Sequence, residues 1–157
     1  MSYLNEMFGL DGKTVVIPGG AGAIGTAMSK TFLQAGANVI IWDRSQEQLD
    51  NAKEKLTDYA DGRLKVLISD TSEEKAVEVS LQESIQYFGQ IDILVNGVGG
   101  NIGKGSFVDI DMEQFTKVLH LNLVAGLVVP TKGFAKYWIK NNIKGNIINL
   151  ASVTSYV

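Results

Sequence analysis

Closely spaced glycines near the start of the chain have the pattern of a phosphate-binding loop. The segment PGGAGAIG contains two overlapping patterns that share Gly25. Gly20 and Gly22 complete G-x-G-x-x-G, whereas Gly19 and Ala23 complete G-x-x-x-G-x-G with one alanine. Small residues let the backbone approach a pyrophosphate, and the N–H groups at a helix start attract its charge. Because the segment lies between a predicted strand and a predicted helix, it indicates phosphate binding; the alternative is a tight turn without a ligand.

Two carboxylates follow predicted strands farther along the chain. Asp43 ends the second strand, about 20 residues past the glycine loop, where an acid accepts hydrogen bonds from ribose hydroxyls. A carboxylate there repels a 2′-phosphate and favours NAD over NADP, but Arg44 could bind that phosphate, so NADP is not excluded. Asp70 ends the third strand in the same way and could equally cap the helix that follows it.

A second glycine-rich segment, Asn96–Gly105, follows the fourth predicted strand. In an open parallel sheet, ligands bind at the carboxyl ends of the strands, where the strand order reverses. Both glycine loops and both carboxylates fall at such ends. We therefore expect them to form one dinucleotide site.

The elements that must position these residues alternate along the chain. The predicted strands cover residues 13–17, 38–42, 64–68, 91–95 and 146–150, and the predicted helices cover 24–35, 45–59, 71–88 and 112–140. The strands are apolar throughout, so both of their faces must be covered, which indicates a parallel sheet between two helix layers. With right-handed crossovers, the prediction is an α/β fold with a doubly wound parallel sheet.

Finer signals concern the helices themselves. Ser45, with Gln48 three residues later, predicts a capping box at the second helix. Thr71 or Ser72 is expected to cap the third helix. Pro130 is expected to kink or break the long fourth helix, because proline cannot donate a backbone hydrogen bond.

The composition limits the class of protein. The chain has 157 residues, a net charge of −3, no cysteine and 45% hydrophobic residues, which fits a single domain over residues 1–157. Without cysteine it has no disulfides or thiolate metal sites, and we expect no metal. An acidic chain without a basic stripe is not expected to bind nucleic acid, and without an apolar run of about 18 residues it is not expected to enter a membrane. The N-terminus shows no signal-peptide pattern, so we expect a cytoplasmic location.

In this order the segments resemble the short-chain dehydrogenase/reductase family over essentially the whole chain. Gly19–Gly25 resembles its T-G-x-x-x-G-x-G loop, with Pro18 in place of Thr and Ala23 in place of Gly. Residues 96–99 resemble its N-N-A-G, and residues 146–152 resemble the strand that delivers its catalytic Ser. The resemblance implies a Rossmann-like fold that binds NAD and transfers a hydride between nicotinamide and a carbonyl or hydroxyl of a small substrate. The Gly-Gly-Asn after the fourth strand also resembles the uronate and mannonate oxidoreductases within the family, which hints at a sugar-acid substrate.

The resemblance also implies roles for individual residues. Asp70 and Thr71 correspond to the adenine contact of the family. Asn122 corresponds to the helix Asn that holds a water in the proton relay, and Ser152 to the Ser that hydrogen-bonds the substrate oxygen. The expected cofactor-binding residues are Gly19, Gly20, Gly22, Ala23, Ile24, Gly25, Asp43, Arg44, Asp70, Thr71, Asn96, Gly97 and Gly99.

The general acid/base pair of the family, Tyr-x-x-x-Lys, does not occur in this sequence. None of the five tyrosines is followed by lysine at the fourth position. In the family this pair follows the catalytic Ser, beyond the position that matches Val157. We therefore expect a chain truncated after the fifth strand, with half of a catalytic tetrad and no activity of its own. The alternatives are a non-catalytic dinucleotide-binding module and a methyltransferase; the latter is disfavoured because prolines are missing after the fourth strand.

Truncation at this point would leave the fifth strand as a sheet edge with an exposed apolar patch. We expect the chain to self-associate, or to form a homo-oligomer, through this edge and the long helix.

Overall fold

The computed structural model describes residues 7–101 and 106–152 and contains one parallel sheet. The strands are β1 (Thr14–Pro18), β2 (Asn38–Asp43), β3 (Leu64–Ile68), β4 (Ile93–Asn96) and β5 (Asn146–Asn149). Their order in the sheet is β3-β2-β1-β4-β5, and every pairing is parallel. The chain runs outward from β1 to β3 and then returns to the other side of β1. The reversal places the switch point between β1 and β4, as the doubly wound prediction requires.

Helices cover both faces of the sheet. They are α1 (Ala23–Gln34), α2 (Gln46–Ala60), α3 (Glu74–Phe88), α4 (Met112–Leu119) and α5 (Val129–Asn141), with a 3₁₀ turn at Phe107–Asp109 and a π-helical segment at His120–Val128. The helices α1 and α2 pack on one face, and α3 and α5 pack on the other. The predicted two-layer arrangement around the sheet is therefore confirmed.

Alternate residues of the central strands enter two separate cores. In β2, Ile40 and Trp42 face the core formed with α3 and α5, whereas Val39 and Ile41 face the core formed with α1 and α2. All four side chains are 0% exposed. This explains the continuous apolar runs of the central strands, since both faces of the sheet are buried beneath helices there.

The helix-cap predictions have mixed outcomes. Ser45 caps α2 as expected, because its hydroxyl accepts a hydrogen bond from the Gln48 N–H at 3.3 Å. The helix α3 instead begins after Glu73, whose side chain makes no capping hydrogen bond. The prediction that Thr71 or Ser72 caps it is wrong, because Asp70 and Ser72 form a turn ahead of the helix start.

The long helical stretch is continuous from α4 through the π-helical segment to α5, so the predicted break at Pro130 does not occur. The Val129 N–H at the end of the segment donates to the Val124 carbonyl oxygen, which is the five-residue spacing of a π-helix. Pro130 follows directly, where regular α-helix resumes. The proline thus lies at a change of hydrogen-bond register in the first turn of α5, where its missing N–H is accommodated.

The stretch Met112–Asn141 is also long and apolar enough to cross a membrane by length and composition. The sequence-based exclusion of a membrane span was therefore too strong. One such helix is weak evidence, because helices of a soluble core pass the same test. Here Val129, Phe134 and Trp138 are buried against the sheet.

The last described strand, β5, pairs with β4 and has no second partner among residues 7–101 and 106–152. Ile148 and Leu150 are 37% and 44% exposed. The expected apolar edge is thus present in the described structure, and its effect on association stays a prediction.

Candidate functional site

A cleft of about 840 Å³ opens at the carboxyl ends of the strands. It lies above the switch point, between the start of α1 and the helical stretch that begins at Met112. Of the residues predicted from the sequence, those that line it are Gly19, Gly22, Ala23, Ile24, Gly25, Asp43, Arg44, Asp70, Thr71, Gly97 and Gly99. The structure therefore brings both glycine loops and both carboxylates together, as expected.

Gly19 and Gly25 are among the glycines that the geometry of the first loop requires. Gly19 has a φ of +72°, and a Cβ there would lie 2.8 Å from the Gly97 carbonyl oxygen. A Cβ on Gly25 would lie 2.5 Å from the Gly20 Cα, so the start of α1 could not pack on the loop. Gly22 has room, because its Cβ would meet the Gly19 oxygen at an ordinary 3.5 Å. The structure thus requires glycine at positions 19 and 25, and Gly25 belongs to both of the overlapping patterns.

Backbone hydrogen bonds hold the first loop in place. The Gly19 N–H donates to the Trp42 carbonyl at 2.7 Å, and the Gly97 N–H donates to the Pro18 carbonyl at 3.2 Å. The Thr26 hydroxyl reaches back from α1 to the Gly20 carbonyl at 3.4 Å. These contacts brace the loop although Pro18 has neither the hydroxyl nor the N–H found at that position in the family.

The start of α1 is suited to an anion. Gly22 occupies the position before the helix, no side chain caps it, and its first turn carries no acidic residue. Because the first N–H groups of a helix have no partners within it, they and the helix dipole can stabilise a phosphate. Ala23 and Ile24 line the cleft at this turn, and Ile24 is 68% exposed.

Asp43 and Arg44 line the cleft where β2 ends. Asp43 Oδ1 accepts a hydrogen bond from the Ser45 N–H at 3.1 Å, which fixes the carboxylate beside the start of α2. Asp43 is half-buried, whereas Arg44 is exposed. A carboxylate held in this way can accept hydrogen bonds from a sugar diol, which is the chemistry expected for ribose.

Asp70 is held by a turn at the end of β3. Its Oδ1 accepts hydrogen bonds from the Ser72 N–H at 2.9 Å and from the Ser72 hydroxyl at 2.7 Å. These two bonds, with weaker contributions from the charges of Arg44 and His120, hold the pKa of Asp70 below its ordinary value despite partial burial. An ionised carboxylate in the cleft wall is an acceptor for an exocyclic amino group. Thr71 is buried beside it.

Two predicted cofactor residues do not line the cleft. Gly20 is buried under the loop, where a Cβ would lie 2.7 Å from the Ile17 carbonyl oxygen. Asn96 is buried as well, and its amide donates to Thr131 Oγ1 at 2.9 Å and to Asn149 Oδ1 at 2.8 Å. The geometry gives both residues an indirect role: Gly20 shapes the turn, and Asn96 joins β4 to α5 and β5.

Asn122 also lies outside the cleft lining, but it holds the loop after β4. Its Oδ1 accepts a hydrogen bond from the Gly100 N–H at 3.0 Å, and its Nδ2 donates to the Gly100 carbonyl at 2.8 Å. The same Nδ2 donates to the Val118 carbonyl at 2.8 Å. The structure does not bring Ser152 into the cleft lining; it lies exposed, beyond β5. Residues 102–105 of the predicted second glycine segment lie outside the described residues.

Sequence reasoning missed the helical wall of the cleft. The residues concerned are Thr116, Lys117, His120, Leu121 and Ala125. Their spacing of four to five residues is that of one face of a helix widened by a π-helical segment, which is the signal that could have identified them. Ser45, Gln48, Ser69, Ser72 and Val98 complete the lining. Among the described residues, no cluster of three or more acidic or histidine side chains is placed to hold a metal ion.

Comparison with known proteins agrees with this arrangement. The family model described as short chain dehydrogenase matches residues 13–157. A glucose 1-dehydrogenase of Gluconobacter oxydans is 35% identical over 142 residues, which are 90% of this chain and 53% of that protein. A 3beta-hydroxysteroid dehydrogenase 2 of Eggerthella lenta is 33% identical over 92% of this chain and 55% of its own length. The chain thus spans about half the length of the curated relatives it matches.

Solved structures show the same fold. An NAD⁺-bound xylitol dehydrogenase superposes with a TM-score of 0.86 at 25% identity, over 93% of this chain and 55% of that one. A 3-ketoacyl-(acyl-carrier-protein) reductase from Brucella melitensis, complexed with NADH, superposes with a TM-score of 0.80 at 26% identity, over 91% and 58% of the two chains. From its glycine loop to its fifth strand, this chain belongs to the short-chain dehydrogenase family.

Proposed function

We propose that the cleft binds NAD and that the whole protein is an NAD(P)-dependent oxidoreductase acting on a carbonyl or hydroxyl of a small substrate. The observation that carries the proposal is the convergence of three groups on one cleft: the uncapped start of α1, Asp43 and Asp70. They match the three polar parts of the ADP half of NAD: the pyrophosphate, the ribose and the adenine. The α1 N–H groups suit the pyrophosphate, Asp43 suits the ribose diol and Asp70 suits the adenine amino group.

The residues present fit this cofactor in their chemistry. The first turn of α1 offers N–H donors without a nearby acid, and the glycines of the loop keep side chains out of the approach. When bound, the nicotinamide would supply or accept the hydride. Asn122 holds the loop after β4 through its hydrogen bonds to Gly100. As their counterparts in the family imply, Asn122 would hold a water of the proton relay and Ser152 would hydrogen-bond the substrate oxygen.

Binding to the isolated chain tests the cofactor assignment. We expect NAD and NADH to bind by calorimetry, NADP to bind more weakly and S-adenosylmethionine not to bind. Ala23→Asp places a carboxylate at the helix start, where it should abolish dinucleotide binding by repelling the pyrophosphate. Ala27→Asp is the matched control, because Ala27 is exposed on the same helix and does not line the cleft. Equal binding by the two variants would contradict the proposal.

A non-catalytic binding module is the second candidate, and one observation favours it. No tyrosine in the sequence is followed by lysine four residues later, so this chain lacks the proton donor of the family and should be inactive. The intact mass of the protein from its source separates the two candidates. A mass well above 17.0 kDa, with the missing pair in the added sequence and dehydrogenase activity, supports the enzyme. A mass of 17.0 kDa without turnover supports the module.

We also propose a sugar acid as the substrate class and the cytoplasm as the location. The Gly-Gly-Asn after β4 supports the first, and the composition supports the second. A panel of sugar acids, free sugars and steroids, assayed with the whole protein by NADH formation, tests the substrate. Turnover of neutral sugars alone would contradict it, and recovery of the protein with membranes or outside the cell would contradict the location.

Self-association is the remaining proposal for this chain. The β5 edge is open in the described structure, and α4 presents Met112, Phe115 and Leu119 with 41–63% exposure. Light scattering over a range of concentrations tests it. A monomer at all concentrations would overturn the proposal, and Leu119→Lys should shift an oligomer towards monomer because it places a charge in the apolar face.

A further inference from the structure

The end of the cleft at β2 and β3 carries several charged groups. We call this the adenosine end, defined by Arg44 and Asp70 from the strand ends and His120 from the helical wall. Asp43 lies beside Arg44 at the same end. If the proposed function is correct, these residues surround the base of the bound dinucleotide.

His120 is the only histidine of the chain and the first residue of the π-helical segment. Its side chain is exposed and lines the cleft together with Thr116, one turn earlier. Because a π-helical turn takes in an extra residue, His120 and Ala125 share the same face of the helical wall. The side chain is therefore available to a ligand and is not part of the core.

The charges of Arg44 and His120 both act on Asp70 and contribute to its lowered pKa. Independently of charge, Arg44, Asp70 and His120 all line the same cleft, so one ligand bound there can meet all three side chains. Lys117 on the same wall is already paired, since its ammonium lies 2.5 Å from Glu113 Oε1. His120 is thus the wall side chain with an aromatic ring and with hydrogen-bonding groups suited to a flat, uncharged base.

The chemistry of the three side chains is complementary to adenine. A carboxylate accepts hydrogen bonds from an exocyclic amino group, and guanidinium and imidazole planes stack on heteroaromatic rings. Stacking of a base on an aromatic side chain is a strong and general source of affinity for nucleotides.

We propose that His120 is a base-contacting residue of the cleft, which stacks on the adenine ring while Asp70 accepts from its amino group. The proposal rests on the proposed function and adds to it a residue that decides affinity for the adenosine half of the cofactor. The competing role is an anion contact: a cationic His120 would then recognise a 2′-phosphate together with Arg44.

Fragments of the cofactor separate these roles. The probes are AMP, 2′-phospho-AMP and nicotinamide mononucleotide, titrated into wild-type chain and variants by NMR. We expect His120→Ala to lower the affinity for AMP by about 5- to 20-fold, as loss of a base-stacking side chain does. His120→Phe should keep the affinity for AMP within about threefold of the wild type, because its ring can still stack. Nicotinamide mononucleotide should bind all variants equally. Gln114→Ala is the control, because Gln114 is exposed on α4 and does not line the cleft.

Three results would overturn the proposal. They are unchanged AMP affinity in His120→Ala, equal weakening of AMP and nicotinamide mononucleotide, and a loss confined to 2′-phospho-AMP, which would assign the anion role. These results leave NAD binding by the wild type intact and so leave the proposed function standing. If the wild-type chain binds neither NAD nor AMP, the proposed function fails and this inference fails with it. Circular dichroism spectra of each variant establish that it is folded.

Discussion

Gly19 and Gly97, from the two glycine loops, are packed backbone against backbone: a Cβ on Gly19 would lie 2.8 Å from the carbonyl oxygen of Gly97. The contact joins the end of β1 to the end of β4, the strands on either side of the switch point. The atoms that such a Cβ would meet, the Gly97 carbonyl oxygen and the Val98 nitrogen, belong to the backbone. They cannot move aside as the end of a flexible side chain could. The floor of the cleft therefore depends on glycine at position 19.

Gly19→Ala should destabilise the fold. Its φ of +72° is unfavourable for alanine by about 1–2 kcal/mol, and the clash with Gly97 adds to that cost. Gly22→Ala is the matched control, since its φ is −67° and its Cβ would make only an ordinary contact at 3.5 Å. Urea unfolding should show a loss of more than about 2 kcal/mol for Gly19→Ala and about 0.5 kcal/mol or less for Gly22→Ala. Equal stability of the two variants would contradict this packing.

Asn122→Ala should loosen the loop after β4, because it removes three hydrogen bonds to Gly100 and Val118. We expect faster amide hydrogen exchange at Gly100 and a loss of about 1–2 kcal/mol in the free energy of unfolding. Asn122→Asp should be as damaging, because a carboxylate can accept from the Gly100 N–H but cannot donate to either carbonyl. If Asn122→Asp is as stable as the wild type, the hydrogen bond from the Gly100 N–H to the side-chain oxygen alone is enough to hold the loop.

Asp92 should make the fold sensitive to acid. Burial raises the pKa of this carboxyl, but hydrogen bonds from the Thr14 N–H, the Lys13 ammonium and the Gln90 amide outweigh burial and lower the pKa below its ordinary 3.8. A folded-state pKa below the unfolded value stabilises the protein above the unfolded pKa, and this stabilisation is lost as the pH falls through the folded pKa. The free energy of unfolding should therefore fall below about pH 4.

The variant Asp92→Asn isolates this effect. Its amide oxygen can still accept from the Thr14 N–H but no longer forms an ion pair with Lys13. We therefore expect the free energy of unfolding to be about 1–2 kcal/mol lower at pH 7 and to change less as the pH falls below about 4. Glu74→Gln is the comparison, because Glu74 forms an exposed ion pair with Lys132, and exposed pairs contribute little. Urea unfolding at a series of pH values measures both. An unchanged acid limb in Asp92→Asn would refute the assignment.

Asp43 should control the choice between NAD and NADP. Asp43→Asn keeps an oxygen that can accept from the Ser45 N–H, so the local turn is preserved while the negative charge is removed. We expect the ratio of the NADP to the NAD dissociation constant to fall about tenfold, because the repulsion of a 2′-phosphate is lost while Arg44 stays in place. Asp43→Ala, which removes the acceptor as well, should also weaken NAD. An unchanged ratio would contradict the ribose role of Asp43.

The doubly wound parallel sheet and the position of the cleft could be predicted because they follow from local patterns. Apolar strands bounded by glycine and carboxylates indicate a parallel sheet, and the ligand site of such a sheet follows from its topology. The π-helical segment was harder to predict, because its surroundings are tertiary: Gly126 packs against the Val98 carbonyl, and Asn122 bonds to Gly100. Its trace in the sequence is the four- to five-residue spacing of the wall residues. His120 was missed because a π-helical turn changes which residues share one face of a helix.

The buried position of Asn96 shows a second limit. Its place at the end of β4 predicts contact with a ligand, since the strand ends form the site. The structure turns its amide away from the cleft to Thr131 and Asn149. Sequence indicates the strand end at which a residue lies, but not the face to which its side chain points when a neighbouring helix and strand both offer it hydrogen bonds.

The strand order has a consequence for the way the chain assembles during synthesis. The pairings of β1 with β2 and of β2 with β3 join segments that are close in sequence, so this half can form as soon as residue 68 has emerged from the ribosome. The other side of β1 can pair only after β4 has been synthesised. The hydrogen bond from the Thr14 N–H of β1 to Asp92 likewise joins residues that are 78 positions apart. During that interval an uncovered edge of the central strand faces the cellular milieu. We expect nascent chains of this protein to be most vulnerable to misassociation, and most dependent on chaperones, between the emergence of β3 and that of β4.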